Sequence, residues 1–117
     1  MIATILIAIV AALHVYFLVL EMFLWDKPAG RSAFGTTAEF ATASKTLAAN
    51  QGLYNGFLAA GLVWGLILGS AGTPVKIFFL LCVIVAGVFG AVTVSRKILF
   101  IQALPAALAL AALLLLP

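Results

Sequence analysis

Residues 2–20 read IATILIAIVAALHVYFLVL, a run without a single Asp, Glu, Lys or Arg, and residue 21 is Glu. A run of that length supplies roughly the 20 apolar residues that carry a helix across a ~30 Å hydrocarbon core. Residues 46–75, 77–95 and 98–117 share the property. Of the 117 residues 67% are hydrophobic and 8% charged, too few polar groups to cover a soluble domain of this size. The pattern predicts an all-α fold: an integral membrane four-helix bundle, with spans at about 2–25, 52–69, 75–95 and 98–116, forming a single transmembrane domain over residues 1–117. A cleaved signal peptide is disfavoured for the first run. It lacks a Lys/Arg-rich start and exceeds the usual ~7–15-residue apolar region of such peptides.

The connections carry their own signals. Asp26 to Arg31 contains Pro28 and Gly30 and is expected to break the helix. Thr36-Thr37-Ala38-Glu39 fits a capping box with Thr36 as N-cap, so an interfacial helix over about 37–50 is expected. It either lies at the bilayer surface or runs unbroken into span two. Thr73-Pro74 reads as an N-cap followed by Pro at the first helical position. Pro105 falls inside span four, where it should kink the helix or free the carbonyl of Ile101.

The net charge of +3 is informative through its placement. Lys27, Arg31 and Lys45 lie between spans one and two, Arg96 and Lys97 between spans three and four, and Lys76 alone falls on the other side. A bacterial plasma (inner) membrane is the expected location, and the positive-inside rule puts loops 26–51 and 96–97 in the cytoplasm and both termini outside. The implied partner is the lipid bilayer, and no nucleic acid is expected. Cys82, the single cysteine, lies within span three and is expected to pack as a small apolar residue.

Ionisable groups inside a span are costly and mark a functional-site hypothesis. His14 and Glu21 are seven residues apart, about two turns and roughly 10 Å, so both leave the same helix face. They are the candidate catalytic pair. Gln51, Tyr54 and Asn55 fall at the cytoplasmic end of span two, Asn50 just before it, Gln102 one turn into span four, and Trp25 at the interface. Together these six are the candidate ligand-binding residues. The glycines at 52/56 and 61/65/69 fall at spacing four, a small-residue ridge that lets membrane helices approach closely. Packing within the bundle is the preferred use of that ridge, and a homo-oligomer seam is the other. The combined expectation is a bundle closed at the outer end by close backbone contact and open inside to a polar pocket.

Three function classes are compatible with this arrangement. The first is binding of a small apolar or lipid-like molecule in the cytoplasm-facing pocket, with acid/base isomerisation by Glu21 and His14. The second is a proton- or cation-coupled transporter or channel subunit. The third is a structural membrane subunit. No metal site is expected, because one histidine and one carboxylate do not complete a usual zinc or iron shell. No cofactor is specified, although a haem with His14 as its one axial ligand is compatible with the composition.

Three blocks carry a resemblance: Glu21-Met22-Phe23-Leu24-Trp25, Phe34-Gly35, and Leu47-Ala48-Ala49-Asn50-Gln51-Gly52-Leu53-Tyr54-Asn55-Gly56-Phe57-Leu58-Ala59-Ala60-Gly61-Leu62. They closely resemble the domain-of-unknown-function 1304 family of small membrane proteins. The match covers essentially the whole chain. What it implies is four spans; it implies no activity.

Overall fold

The computed structural model describes residues 1–116 and is all-α. Helix α1 covers Ile2–Met22, α2 Pro28–Phe34, α3 Ala38–Ile67, α4 Thr73–Thr93 and α5 Leu104–Leu115. A 3₁₀ turn at Gly69–Gly72 leads into α4, and a π-helical segment at Leu99–Ala103 leads into α5. Two apolar helices, Ile2–Met22 and Gly69–Thr93, are long enough to cross a bilayer, and the apolar run Leu99–Leu115 is shorter. Four spans were expected. α3 does not join the two because the polar block Asn50 to Asn55 leaves only Gly56 to Ile67 as its apolar stretch.

Several boundaries differ from the sequence expectation. Of the two courses left open for the helix at about 37–50, the structure shows the unbroken one: it and span two are one continuous helix, α3. The Asn50-Gln51-Gly52 sequence does not interrupt it, because a break there would leave backbone groups unpaired. Its N-cap is Thr37 rather than Thr36: the Phe40 amide donates to Thr37 Oγ1 at 3.1 Å, while Thr36 Oγ1 is buried without a partner. Pro28 does not simply break the chain; it opens α2 as its first residue, where no backbone donor is needed. α2 closes on Gly35, which adopts the left-handed conformation at φ 65°. At the start of α4 the N-cap is Gly72, and Thr73 Oγ1 donates to the Ser70 carbonyl at 3.0 Å. Pro105 follows a widened turn: the Leu104 amide reaches back five residues to the Leu99 carbonyl.

The chain forms two compact units, residues 1–12 with residues from Leu58 onward, and residues 13–57. The first unit holds an apolar core to which four helices contribute: Ile7, Val10 and Ala11 of α1, Leu62 of α3, Leu80 and Val83 of α4, and Ala106 and Ala109 of α5. Alanines supply the α5 side, so its backbone can lie close to its neighbours. Gly87 of α4 marks the tightest approach to the π segment: a Cβ there would stand 2.6 Å from the Ala103 nitrogen and 2.9 Å from its Cα.

The glycine ridge of α3 admits side chains as well as backbone: a Cβ on Gly65 would stand 3.3 Å from the Lys76 nitrogen. The Phe79 ring fills the slot at Gly61, and the Lys76 stem fills the one at Gly65. Lys76 is 7% exposed, and its Nζ donates to the Gly69 carbonyl at 3.0 Å. Its methylenes thus cover apolar surface while its ammonium satisfies the turn that ends α3. Gly69 is no part of a packing ridge; it adopts φ 62° with nothing near its Cβ position.

Backbone cannot retreat as a side-chain tip can, so Gly87→Ala should cost about 1–3 kcal/mol of stability. Ala86→Val, at the exposed neighbouring position, should stay within about 0.5 kcal/mol of the parent. Denaturant unfolding in detergent micelles measures both, and equal stabilities would contradict this packing.

Candidate functional site

Within the unit of residues 13–57, α1 and α3 run against each other through Gly52 and Gly56. A Cβ on Gly52 would stand 2.6 Å from Met22 Cγ, 3.1 Å from Glu21 Cβ and 3.2 Å from the Leu18 carbonyl oxygen. One on Gly56 would stand 2.7 Å from Leu18 Cδ1. Glycine at these positions lets the helices close on each other. Three residues beyond Gly52 on the same side of α3 lies Asn55. Its Nδ2 donates to Glu21 Oε1 at 2.5 Å, and both residues are buried, at 6% and 8% exposure. A carboxyl group taken out of water needs such a partner, because a buried polar group without a hydrogen bond is costly.

A second set of contacts ties the end of α1 to the start of α3. The chain leaves α1 through a tight turn in which the Phe23 and Leu24 amides both donate to the Val19 carbonyl. That turn presents Trp25, whose indole N–H donates to Ser44 Oγ at 3.0 Å. The indole also lies against Phe34, with ring centroids 4.9 Å apart. One residue later, Lys45 Nζ donates to Asp26 Oδ2 at 3.1 Å. Ser44 was not among the residues singled out from the sequence. The signal was present in the spacing of Ala41, Ser44, Ala48, Gly52 and Asn55. These steps of three and four residues, all small or polar, trace one helix face.

The other candidates are placed as follows. His14 is buried at 1% exposure, edge-on to Phe17 with ring centroids 5.2 Å apart at 72°. Asn50, Gln51 and Tyr54 are exposed on α3 and are not brought to Glu21. Gln51 and Asn55 are four residues apart and nearly in line on the helix, yet α3 turns Asn55 inward and leaves Gln51 outside. Gln102 is half-buried in the π segment and belongs to the other unit. Two surface depressions stand out, one along Ala38, Glu39, Thr42 and Ala43 and one along Phe78 to Phe89 of α4. Neither is lined by Glu21 or His14.

Chemically, Glu21 and Asn55 form a carboxyl–carboxamide pair inside an otherwise apolar helix contact. The pair can hold or exchange a proton and can accept or donate one hydrogen bond to a third group. Comparison with known proteins adds a family and no activity. The sequence model of DUF1304, described as "Protein of unknown function (DUF1304)", matches residues 8–114. The chain is 30% identical over 112 residues to "Uncharacterized protein YpaA" of Lactococcus lactis subsp. lactis (strain IL1403), covering 93% of this chain and 94% of that one. No solved structure matches.

Two outcomes follow for this unit. Asn55→Leu should cost about 1–3 kcal/mol by leaving the carboxyl unpaired. The Glu21→Leu/Asn55→Leu double variant should recover most of that loss. Strictly additive costs in unfolding titrations would mean that the pair is not coupled. The second outcome concerns pH. The hydrogen bond from Lys45, assisted by its charge and that of Lys27, holds the Asp26 carboxyl below its ordinary value of 3.8. A depressed carboxyl contributes fully above its unfolded pKa, and that contribution is lost as pH falls through the lower folded value. The Asp26–Lys45 tie should therefore hold at neutral pH and loosen only below about pH 4. Amide hydrogen exchange of residues 23–27 reads this. Asp26→Asn should show raised exchange at pH 7 and little further change on acidification.

Proposed function

We propose that this chain, which belongs to the DUF1304 family, is a four-span membrane protein that binds the polar group of a small apolar or lipid-like molecule at Glu21. The observation that carries the reading is the buried Asn55–Glu21 hydrogen bond. An apolar helix contact has no structural need of a carboxyl group, and replacing such a pair with hydrocarbon is commonly neutral or stabilising. Its presence in a segment this apolar favours a role in recognition or proton exchange. Asn55 orients the carboxyl and leaves one carboxyl oxygen, Oε2, as the atom offered to a ligand.

Four spans are supported by the two long apolar helices, by the shorter apolar run Leu99–Leu115, and by the four helices that share one core. The distribution of Lys and Arg supports an inner-membrane orientation with both termini outside. Asn50, Gln51, Tyr54 and Trp25 would then lie near the cytoplasmic mouth, where a ligand enters. Isomerisation is the extension of this reading. His14 lies about 10 Å up the helix from Glu21, so the two groups act together only on a molecule that spans the distance. One removes a proton at one end while the other delivers one at the other end.

The test is chemical identification of what the protein carries. Wild type and Glu21→Gln are purified in mild detergent, and their bound small molecules are extracted and compared by mass spectrometry. A species enriched in wild type and reduced to background in Glu21→Gln is expected; the same species at equal abundance in both refutes the site. Topology is read separately with reporters fused at Gly35, at Lys97 and at each terminus. Cytoplasmic signals from the first two and external signals from the termini are expected. Two spans, or recovery in the soluble fraction, would overturn the membrane arrangement.

A further inference from the structure

The contact between Glu21 and Asn55 leaves two oxygens over. Asn55 Nδ2 donates to Glu21 Oε1. Glu21 Oε2 and Asn55 Oδ1 have no further partner within the described residues, yet neither is sealed. Among the described residues the sealed side-chain polar atoms without a partner are Asp26 Oδ1, Arg31 Nε and Thr36 Oγ1, all past the end of α1. Glu21 and Asn55 are otherwise covered, so what remains open at them admits a small polar group and not the body of a molecule.

The two oxygens select a donor. A carboxamide hydrogen-bonded to a carboxyl keeps its own oxygen within roughly 7 Å of the second carboxyl oxygen by covalent geometry alone. An ionised carboxylate and a carboxamide oxygen both only accept. The matching group therefore donates, and more than once. Charge narrows the choice. The ion pair of this unit is Lys45–Asp26, and Glu21 receives no cation from the described residues. A carboxylate taken out of water without a counter-charge is costly. A cationic donor offsets that cost, and a hydroxyl does not.

Depth points to the source. Glu21 is the last residue but one of α1. Four residues on, Trp25 is tied to Ser44 through its indole N–H, a ring type that sits at the level of lipid headgroups. In a membrane-spanning α1 the carboxyl thus lies close to the headgroups, whereas His14 lies deeper. We infer that Glu21 and Asn55 bind the primary ammonium of a phospholipid headgroup, one N–H to Glu21 Oε2 and another to Asn55 Oδ1, an assignment that rests on the ligand site proposed above and names its ligand class. The acyl chains stay in the bilayer, and only the headgroup is held by the protein.

A headgroup series at constant charge tests this. Protein purified in mild detergent is titrated with phosphatidylethanolamine and with its N-methyl, N,N-dimethyl and N,N,N-trimethyl forms, all with the same acyl chains. Bound lipid is read by native mass spectrometry, and the thermal unfolding midpoint is followed in parallel. Each headgroup carries one ammonium, while its N–H donors fall from three to none. The first two lipids should bind alike, and the trimethyl form at least about tenfold more weakly. Glu21→Gln keeps an oxygen for Asn55 Nδ2 and should level the series. Glu39→Gln, which removes an exposed acid of the same unit, should leave it intact. Free ethanolamine should bind more weakly than the phospholipid; equal binding would overturn the lipid as source. A flat series in the wild type overturns the ammonium. If the co-purified species still needs Glu21, the ligand site then stands with a different ligand; if it does not, the site falls as well.

Discussion

Asn55 reaches Glu21 because Gly52, one turn earlier on α3, projects nothing toward α1. A methyl group there would meet Met22, the Cβ of Glu21 and the backbone of Leu18, and the helices would have to separate by a few tenths of an ångström or more. The hydrogen bond would lengthen with them, and a carboxyl buried among hydrocarbon would lose its partner. Local backbone geometry, helix separation and the chemistry of the acid are therefore one constraint in this unit. The turn after α1 adds a second point of attachment through Trp25–Ser44 and Asp26–Lys45. Two separated attachments fix the alignment of α1 and α3 along their length, which a single glycine contact would leave free to slide.

Much of this was legible in the chain before any coordinates. Charge-free runs gave the helices, and the depth of Glu21 and Asn55 gave two polar groups at matching levels on different helices. Their partnership was not legible, because helical phase puts Gln51, four residues away, nearly in line with Asn55. A step of four turns only about 40° on the helix, enough here to place one residue inside and the other out. The continuity of α3 was one of two courses the sequence left open. Asn-Gly ordinarily reads as a turn, and only the cost of unpaired backbone groups within a 30-residue helix decides against it. Ser44 escaped notice because the contact on its face is built from small residues, which leave no apolar periodicity to follow.

Lys76 shows a similar limit. The sequence reading counted it only as the one basic residue on the outer side. The side chain instead lies in the slot left by Gly65, and its ammonium ends on the Gly69 carbonyl. A lysine can do this because its stem is hydrocarbon and only its tip needs a polar partner. The close approach expected of the glycines is real: Gly61 admits a phenyl ring, and Gly65 admits both the aliphatic stem and the backbone nitrogen of Lys76.

The wide turn at Leu99–Ala103 has a consequence for the last helix. A π turn accommodates one residue more than an α turn of the same rise, so it behaves as a one-residue insertion absorbed locally. Each residue of an ordinary helix advances the azimuth by about 100°. If the segment tightened into regular α-helix, everything after it would rotate by roughly that angle. Ala106, Ala109 and Ala112, now buried, would swing away and Pro105, Leu108 and Ala111 would arrive in their place. The orientation of the C-terminal helix about its own axis is thus set by five residues preceding it, and shortening that stretch by one is the change it could best tolerate.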